Sequence, residues 1–110
     1  MALRKARATE AEVLAAVKSD VDKAVAAFGT AAIANKAQWN PMAALMLKGE
    51  IYLWSAKVYN TTADLATAKA ALNAVTGFTL RPIFADVFSY ANKKNSEIIF
   101  TLSYSFAEAE

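Results

Sequence analysis

Few side chains in this 110-residue sequence could do chemistry, and the two most versatile types are missing. There is no cysteine and no histidine. Their absence removes disulfides, thiolate metal sites, cysteine nucleophiles, the commonest metal ligands, the base of a catalytic triad and the usual proton shuttle. Two carboxylates, Glu50 and Glu97, could in principle work as a pair. Nothing in the sequence sets their spacing, and a surface or capping role is the expectation for both. Four large aromatics, Trp39, Tyr52, Trp54 and Tyr59, could stack on the apolar face of a sugar ring. Three of them lie on the most apolar helical stretch and are expected in the core; Trp39, placed in a loop, is the one candidate ligand contact. Lys93 and Lys94 within ANKKNSE read as a solvated turn, and Arg4, Lys5 and Arg7 as a solvated terminus. A net charge of +2, dispersed along the chain, is too weak to imply nucleic acid. The expectation is therefore no catalytic residue, no metal, no cofactor and no enzyme.

The elements that must position these residues form one domain spanning 1–110, long enough to bury about two-thirds of its unfolded surface in a single core. Although 56% of the residues are hydrophobic, no window approaches the roughly 20 uninterrupted apolar residues of a membrane span. Lys48 and Lys57 interrupt the most apolar one. No apolar run with a small-residue cleavage site follows Arg7, so no secretory signal is read; if the natural protein is exported, the expectation is that this chain is a piece of it.

The organising stretch is Asn40 to Tyr59. Asn40 can accept from the first free helical N–H groups, and Pro41 sits where a missing N–H costs nothing. Apolar residues then occupy most of the helical circumference, which predicts cover from more than one side. Before it, Thr9-x-x-Glu12 forms a capping box. Val13, Val17, Val21, Ala24, Val25 and Phe28 recur at helical spacing up to Gly29, giving a helix over 9–28. Residues 30–39 read as a loop, possessing at most a helical turn, anchored by Ile33 and Trp39. A third helix is expected over 63–75, capped by Thr62 or Asp64 and ended by Gly77. The helical scaffold thus spans 9–75. After it, in 78–104, Phe78 to Leu80 read as extended before Pro82, a short helix follows between Pro82 and Ser89, and Ala91 to Glu97 form a polar turn. Ile98, Phe100, Leu102 and Tyr104 alternate with Ile99, Thr101 and Ser103, which predicts a strand over 98–104. With no clear partner edge in the sequence, that strand is expected to pair with a second copy in a homodimer.

Two resemblances add to this reading. Leu45, Gly49 and Tyr52 share the spacing of Ala68, Leu72 and Val75, similar to the two helices of a tetratricopeptide hairpin, although the triplets start 23 residues apart, wider than the usual unit. That likeness alone implies an adaptor that holds a peptide in a concave groove. The order of motifs is more specific. DVDKAVAAF, WNPMAALMLKGEIYLWSAKVYN, DLATAKAALNAV and GFTLRPIFADVFSYANKKNSEIIFTLSYS, with Asn95, Ser96, Glu97, Ile98, Ile99 and Phe100 at the end, resemble the SusD/RagB family over roughly Thr9 to Ser105. The resemblance implies a mainly α fold of tetratricopeptide-like antiparallel hairpins with a short C-terminal β element. It further implies glycan capture at the cell surface, delivery to a SusC-like TonB-dependent transporter, and an outer-membrane lipoprotein parent. Family members are several times longer and begin with a signal whose cysteine is acylated; this chain has no cysteine. No family binding residue carries over to a position here, so the expected role is helical scaffold and transporter-docking surface.

Overall fold

A computed structural model describes residues 6–104. Its elements run α1 (Glu10–Phe28), α2 (Pro41–Tyr59), α3 (Thr62–Asn73) and the single-turn α4 (Phe84–Phe88), then a 3₁₀ turn at Tyr90–Asn92. Helix starts follow local chemistry. Glu12 N–H donates to Thr9 Oγ1 at 3.3 Å and Thr9 N–H donates to Glu12 Oε2 at 2.7 Å, the reciprocal capping box. Ala43 N–H donates to Asn40 Oδ1 at 2.9 Å, with Pro41 in the first turn of α2. Gly29 ends α1 at φ +52, and Asn60 ends α2 in the left-handed region. The third helix departs from expectation at both ends. Thr61 takes the N-cap position without a side-chain cap bond, and the helix stops at Asn73, so Gly77, at φ +87, belongs to the turn beyond.

α2 packs against both α1 and α3. The α2–α3 pair is antiparallel: Ser55 reaches Asp64 across the two-residue connection, while Gly49 lies against Leu72 further along. Around this hairpin the three helices are cross-tied by charge. Asp64 accepts from Lys18 of α1, from Ser55 of α2 at 2.5 Å and from Thr61 at 3.1 Å. Asp22 of α1 accepts from Tyr52 OH at 2.7 Å and pairs with Lys48 Nζ at 2.9 Å. Ser55, 1% exposed, has its hydroxyl satisfied only through Asp64.

Lys18 and Ser55 hold the Asp64 carboxyl below the usual carboxylate range, against the opposing effect of burial. A carboxyl lowered on folding contributes stability that is present above about pH 4 and is lost as pH falls through its folded value. Burial pushes Asp22 up, but Tyr52 and Lys48 outweigh it and leave this carboxyl lowered as well. Tyr52 is the opposite case: its bond to Asp22 and burial raise it to about 12. Its share of stability is complete below about pH 10 and is lost as pH rises through the folded value. Thermal unfolding followed by circular dichroism should show a midpoint that drops below about pH 4. Asp64→Asn should flatten that acid limb; an unchanged limb would show that Asp64 is not the group being titrated.

Two expectations about packing are corrected. Among the described residues the buried hydrophobic side chains are Val21 and four alanines, Ala43, Ala44, Ala68 and Ala71. The described residues thus form no large single core: α1 and α3 cover one side of α2, and Ile98 to Phe100 stand across an open cleft from the first half of its other side. The second correction concerns 98–104. No strand forms among the described residues. The alternation finds no edge, because Phe78–Leu80 offers one backbone pairing, Thr79 N–H to Ser96 O at 3.1 Å. Ile98 to Thr101 are all half-buried and Leu102 to Tyr104 all exposed, so no two-sided pattern survives. The backbone of this segment is instead held by the loop before α2.

Candidate functional site

A concavity lies between the first half of α2 and the C-terminal segment. It has a volume of about 640 Å³ and is walled by Met46, Leu47 and Leu53 on one side and Ile98, Ile99 and Phe100 on the other. Trp39 stands at its edge. The loop and the segment are laced together across 59 residues of sequence: Asn40 Nδ2 donates to Ile99 O at 3.0 Å and Lys36 Nζ to Asn95 O at 2.5 Å. Thr101 N–H donates to Lys36 O at 2.9 Å, and Lys94 Nζ to Asn35 Oδ1 at 3.0 Å. Asn40 is 3% exposed and so does two jobs with one side chain, capping α2 with its oxygen and tethering the segment with its nitrogen.

Trp39 is 55% exposed, as a loop tryptophan was expected to be. One face of its indole is nevertheless covered by Phe100, at 5.1 Å between ring centroids and 19° between planes. A second apolar groove, of about 400 Å³ between α1 and α2, also borders Trp39 and runs past Val17, Val21, Phe28 and Ile51. The indole thus joins loop, helix pair and C-terminal segment. Of the three aromatics expected in the core, only Tyr52 is covered. Trp54 is 66% exposed, more than Trp39, and Tyr59 also faces outward. The reason is geometric: Trp54 borders an open groove with Leu14 and Val17 of α1, at the rim of the helix contact and not inside it, which periodicity alone could not identify when every side of the helix was apolar.

Both weighed carboxylates, Glu50 and Glu97, line the same cleft. Glu97 Oε2 is committed to the N–H of Arg81 at 2.8 Å, a structural bond that fixes the turn into Pro82. Glu50 makes no hydrogen bond or ion pair among the described residues. No group of acidic side chains able to hold a metal ion occurs among the described residues. The Lys93–Lys94 turn is not simply solvated: Lys94 adopts φ +63 and ties to Asn35, and Lys93 lies over the Tyr90 ring at 4.4 Å. The sequence did not reveal that Lys36 and Asn95 meet across 59 residues, or that Asp64, read as a possible helix cap, gathers Lys18 and Ser55. No helix among the described residues is long and apolar enough to cross a membrane.

No family model and no curated protein matches the sequence. Solved structures do. A SusD superfamily protein from Bacteroides vulgatus is 34% identical over 92% of this chain, with a TM-score of 0.85. One from Bacteroides fragilis is 35% identical over 97% of this chain, with a TM-score of 0.86. The chain spans 22% and 25% of the length of those two proteins.

Proposed function

The chain is SusD-like over nearly its whole length, and on that premise we propose that it serves as the helical scaffold and transporter-docking part of a glycan-capturing protein. The observation that carries the reading is sequence identity of 34–35% together with backbone agreement over more than nine-tenths of the chain. The parent would sit at the cell surface as an outer-membrane lipoprotein and pass oligosaccharide to a SusC-like TonB-dependent transporter. In this reading α2 and α3 are a tetratricopeptide-like hairpin. Gly49 facing Leu72 supports that, since it is the small-against-large contact that lets two helices approach. The role is non-catalytic: one of the two carboxylates in the cleft is spent on a backbone N–H. A SusC-like transporter gene beside this one, and co-purification of the native protein with that transporter, are the expected results. Absence of both would overturn the reading.

Trp39 is proposed as a packing residue, because stacking on Phe100 leaves only one indole face for a sugar. Isothermal titration of this chain with starch-like or mucin-like oligosaccharides should therefore give no saturable heat. Saturable binding abolished by Trp39→Ala would instead make the indole a ligand contact.

A further inference from the structure

The apolar side of α1 does not by itself fix where that helix lies along α2. Val13, Val17, Val21 and Val25 recur every four residues, so a shift of four residues, about 6 Å along the axis with a small rotation, lays each valine where its neighbour was. Val21 fills the buried position in the native placement, and Val17 or Val25 would fill it with the same side chain after a slip. The surface that Val21 meets on α2 includes Ala44, whose single methyl group presents no ridge to block sliding. Only Phe28, half-buried at the end of the helix, departs from the repeat. The connection from Gly29 to Asn40 is long enough to follow such a shift.

The charges do not repeat in this way. Lys18 and Asp22 stand one turn apart on the same face of α1 and carry opposite signs. Lys18 reaches across to Asp64 of α3, whereas Asp22 accepts from Lys48 Nζ at 2.9 Å and from Tyr52 OH at 2.7 Å on α2. A slip of one turn in either direction therefore brings like charges together. Moved one way, Asp22 comes against Asp64, and Lys48 and Tyr52 face Ala26. Moved the other way, Lys18 comes against Lys48, and Asp64 and Ser55 face Leu14. The Lys18 and Asp64 side chains are only 24% and 17% exposed, so these mismatches are screened less than surface pairs would be. Part-buried ion pairs add little net stability, because desolvation offsets attraction, but they discriminate between arrangements. We propose that Lys18 and Asp22 form a register lock: they select one placement of α1 on the α2–α3 hairpin from several, one turn apart, that the valine repeat leaves nearly equal. The selection arises from contacts inside the three-helix unit and is independent both of what covers its outer faces and of the glycan-uptake reading.

The chain has no cysteine, so Ala27→Cys with Lys57→Cys places two spin labels, and no others, at exposed positions of α1 and α2. The helices are antiparallel, with Leu14 sharing a groove with Trp54 and Phe28 with Ala44. The labels thus lie far apart along the axis, and the distance between them follows a slip. Double electron–electron resonance should give one distance for the labelled chain. Exchanging the charges of α1, Lys18→Asp with Asp22→Lys, makes both native contacts repulsive, while a one-turn slip either way restores one attraction. The distance should then move by up to about 6 Å. Reversing the hairpin as well, with Lys48→Asp and Asp64→Lys, should bring the original distance back. Lys18→Gln with Asp22→Asn removes the selection more gently and should give native and displaced distances side by side. Circular dichroism checks each variant for helical content. One unchanged distance in both the exchanged and the neutral variants overturns the proposal. So does loss of helix in the exchanged variant with a single native distance in the neutral one, since the charges would then stabilise the fold without choosing its register.

Discussion

Replacing Gly49 by leucine is expected to destabilise the fold more than a comparable substitution at any other glycine. A Cβ built at Gly49 would lie 2.5 Å from Leu72 Cδ2 and 2.6 Å from its Cγ. Real carbon atoms do not approach so closely, so either Leu72 leaves its rotamer or α2 and α3 separate. Overpacking of this kind costs about 1–3 kcal/mol and sometimes more. Part is offset because removing a glycine from a helix interior returns about 1 kcal/mol of helix propensity. A leucine is too large for the offset to win: its whole side chain must enter the space that one carbon already overfills. Gly77→Ala is the control. At φ +87 with nothing within 4 Å of the added Cβ, only the left-handed backbone is penalised, by about 1 kcal/mol. The decisive measurement is urea unfolding of Gly49→Ala with and without Leu72→Ala. The double variant should be less destabilised than the two single effects added together, because the two side chains compete for one space. Strict additivity, or equal shifts for Gly49→Leu and Gly77→Ala, would show that the helices do not meet tightly at Gly49.

The second large effect is expected at Asn40. Truncation to alanine removes the N-cap of α2, worth about 0.5–2 kcal/mol. It also strips the half-buried carbonyl of Ile99 of its donor, a loss at the low end of the about 1–3 kcal/mol that an unsatisfied buried acceptor costs. Asn40→Ser separates the two jobs. A serine hydroxyl can still cap the helix but is too short to reach Ile99, 3.0 Å beyond the asparagine nitrogen. Amide exchange should therefore speed up at Thr101 in both variants, since the segment is released from the loop. At Ala43, whose N–H is the capped donor, exchange should accelerate in Asn40→Ala far more than in Asn40→Ser. Protection at Thr101 that survives both substitutions would mean that Lys36 and Thr101 hold the segment without Asn40.

Asn40 also shows where sequence reasoning stops. Its cap was legible because an N-cap acts on an N–H three residues ahead, and Pro41 beside it confirmed the start. Its second bond was not, because the partner lies 59 residues away and nothing in the composition of either stretch names the other. The same division runs through Trp39 and Trp54. Both are large aromatics flanked by apolar residues, and the sequence put one outside and one inside. Both are exposed: Trp39 keeps one indole face free beside Phe100, and Trp54 lies at the rim of an open groove against α1. Glu97 was weighed with Glu50 and does share its cleft, yet its real partner is the N–H of Arg81, a bond that depends on how the chain turns at Pro82.

By itself the sequence determined what is local. It set the starts of α1 and α2 through Thr9, Glu12, Asn40 and Pro41, the stop at Gly29, and the order of motifs that carries the SusD likeness. These rest on contacts within about four residues, or on linear order, and neither depends on the direction in which helices pack. Only the tertiary structure decided which face of α2 stays open, that Asp64 gathers Lys18, Ser55 and Thr61, and that residues 98–101 lie along the loop at Lys36 and Asn40 instead of forming a strand. Alternating side chains make a strand only where another edge supplies hydrogen-bond partners. Here the nearest donors and acceptors were a buried asparagine and the backbone of a loop, and the chain took those.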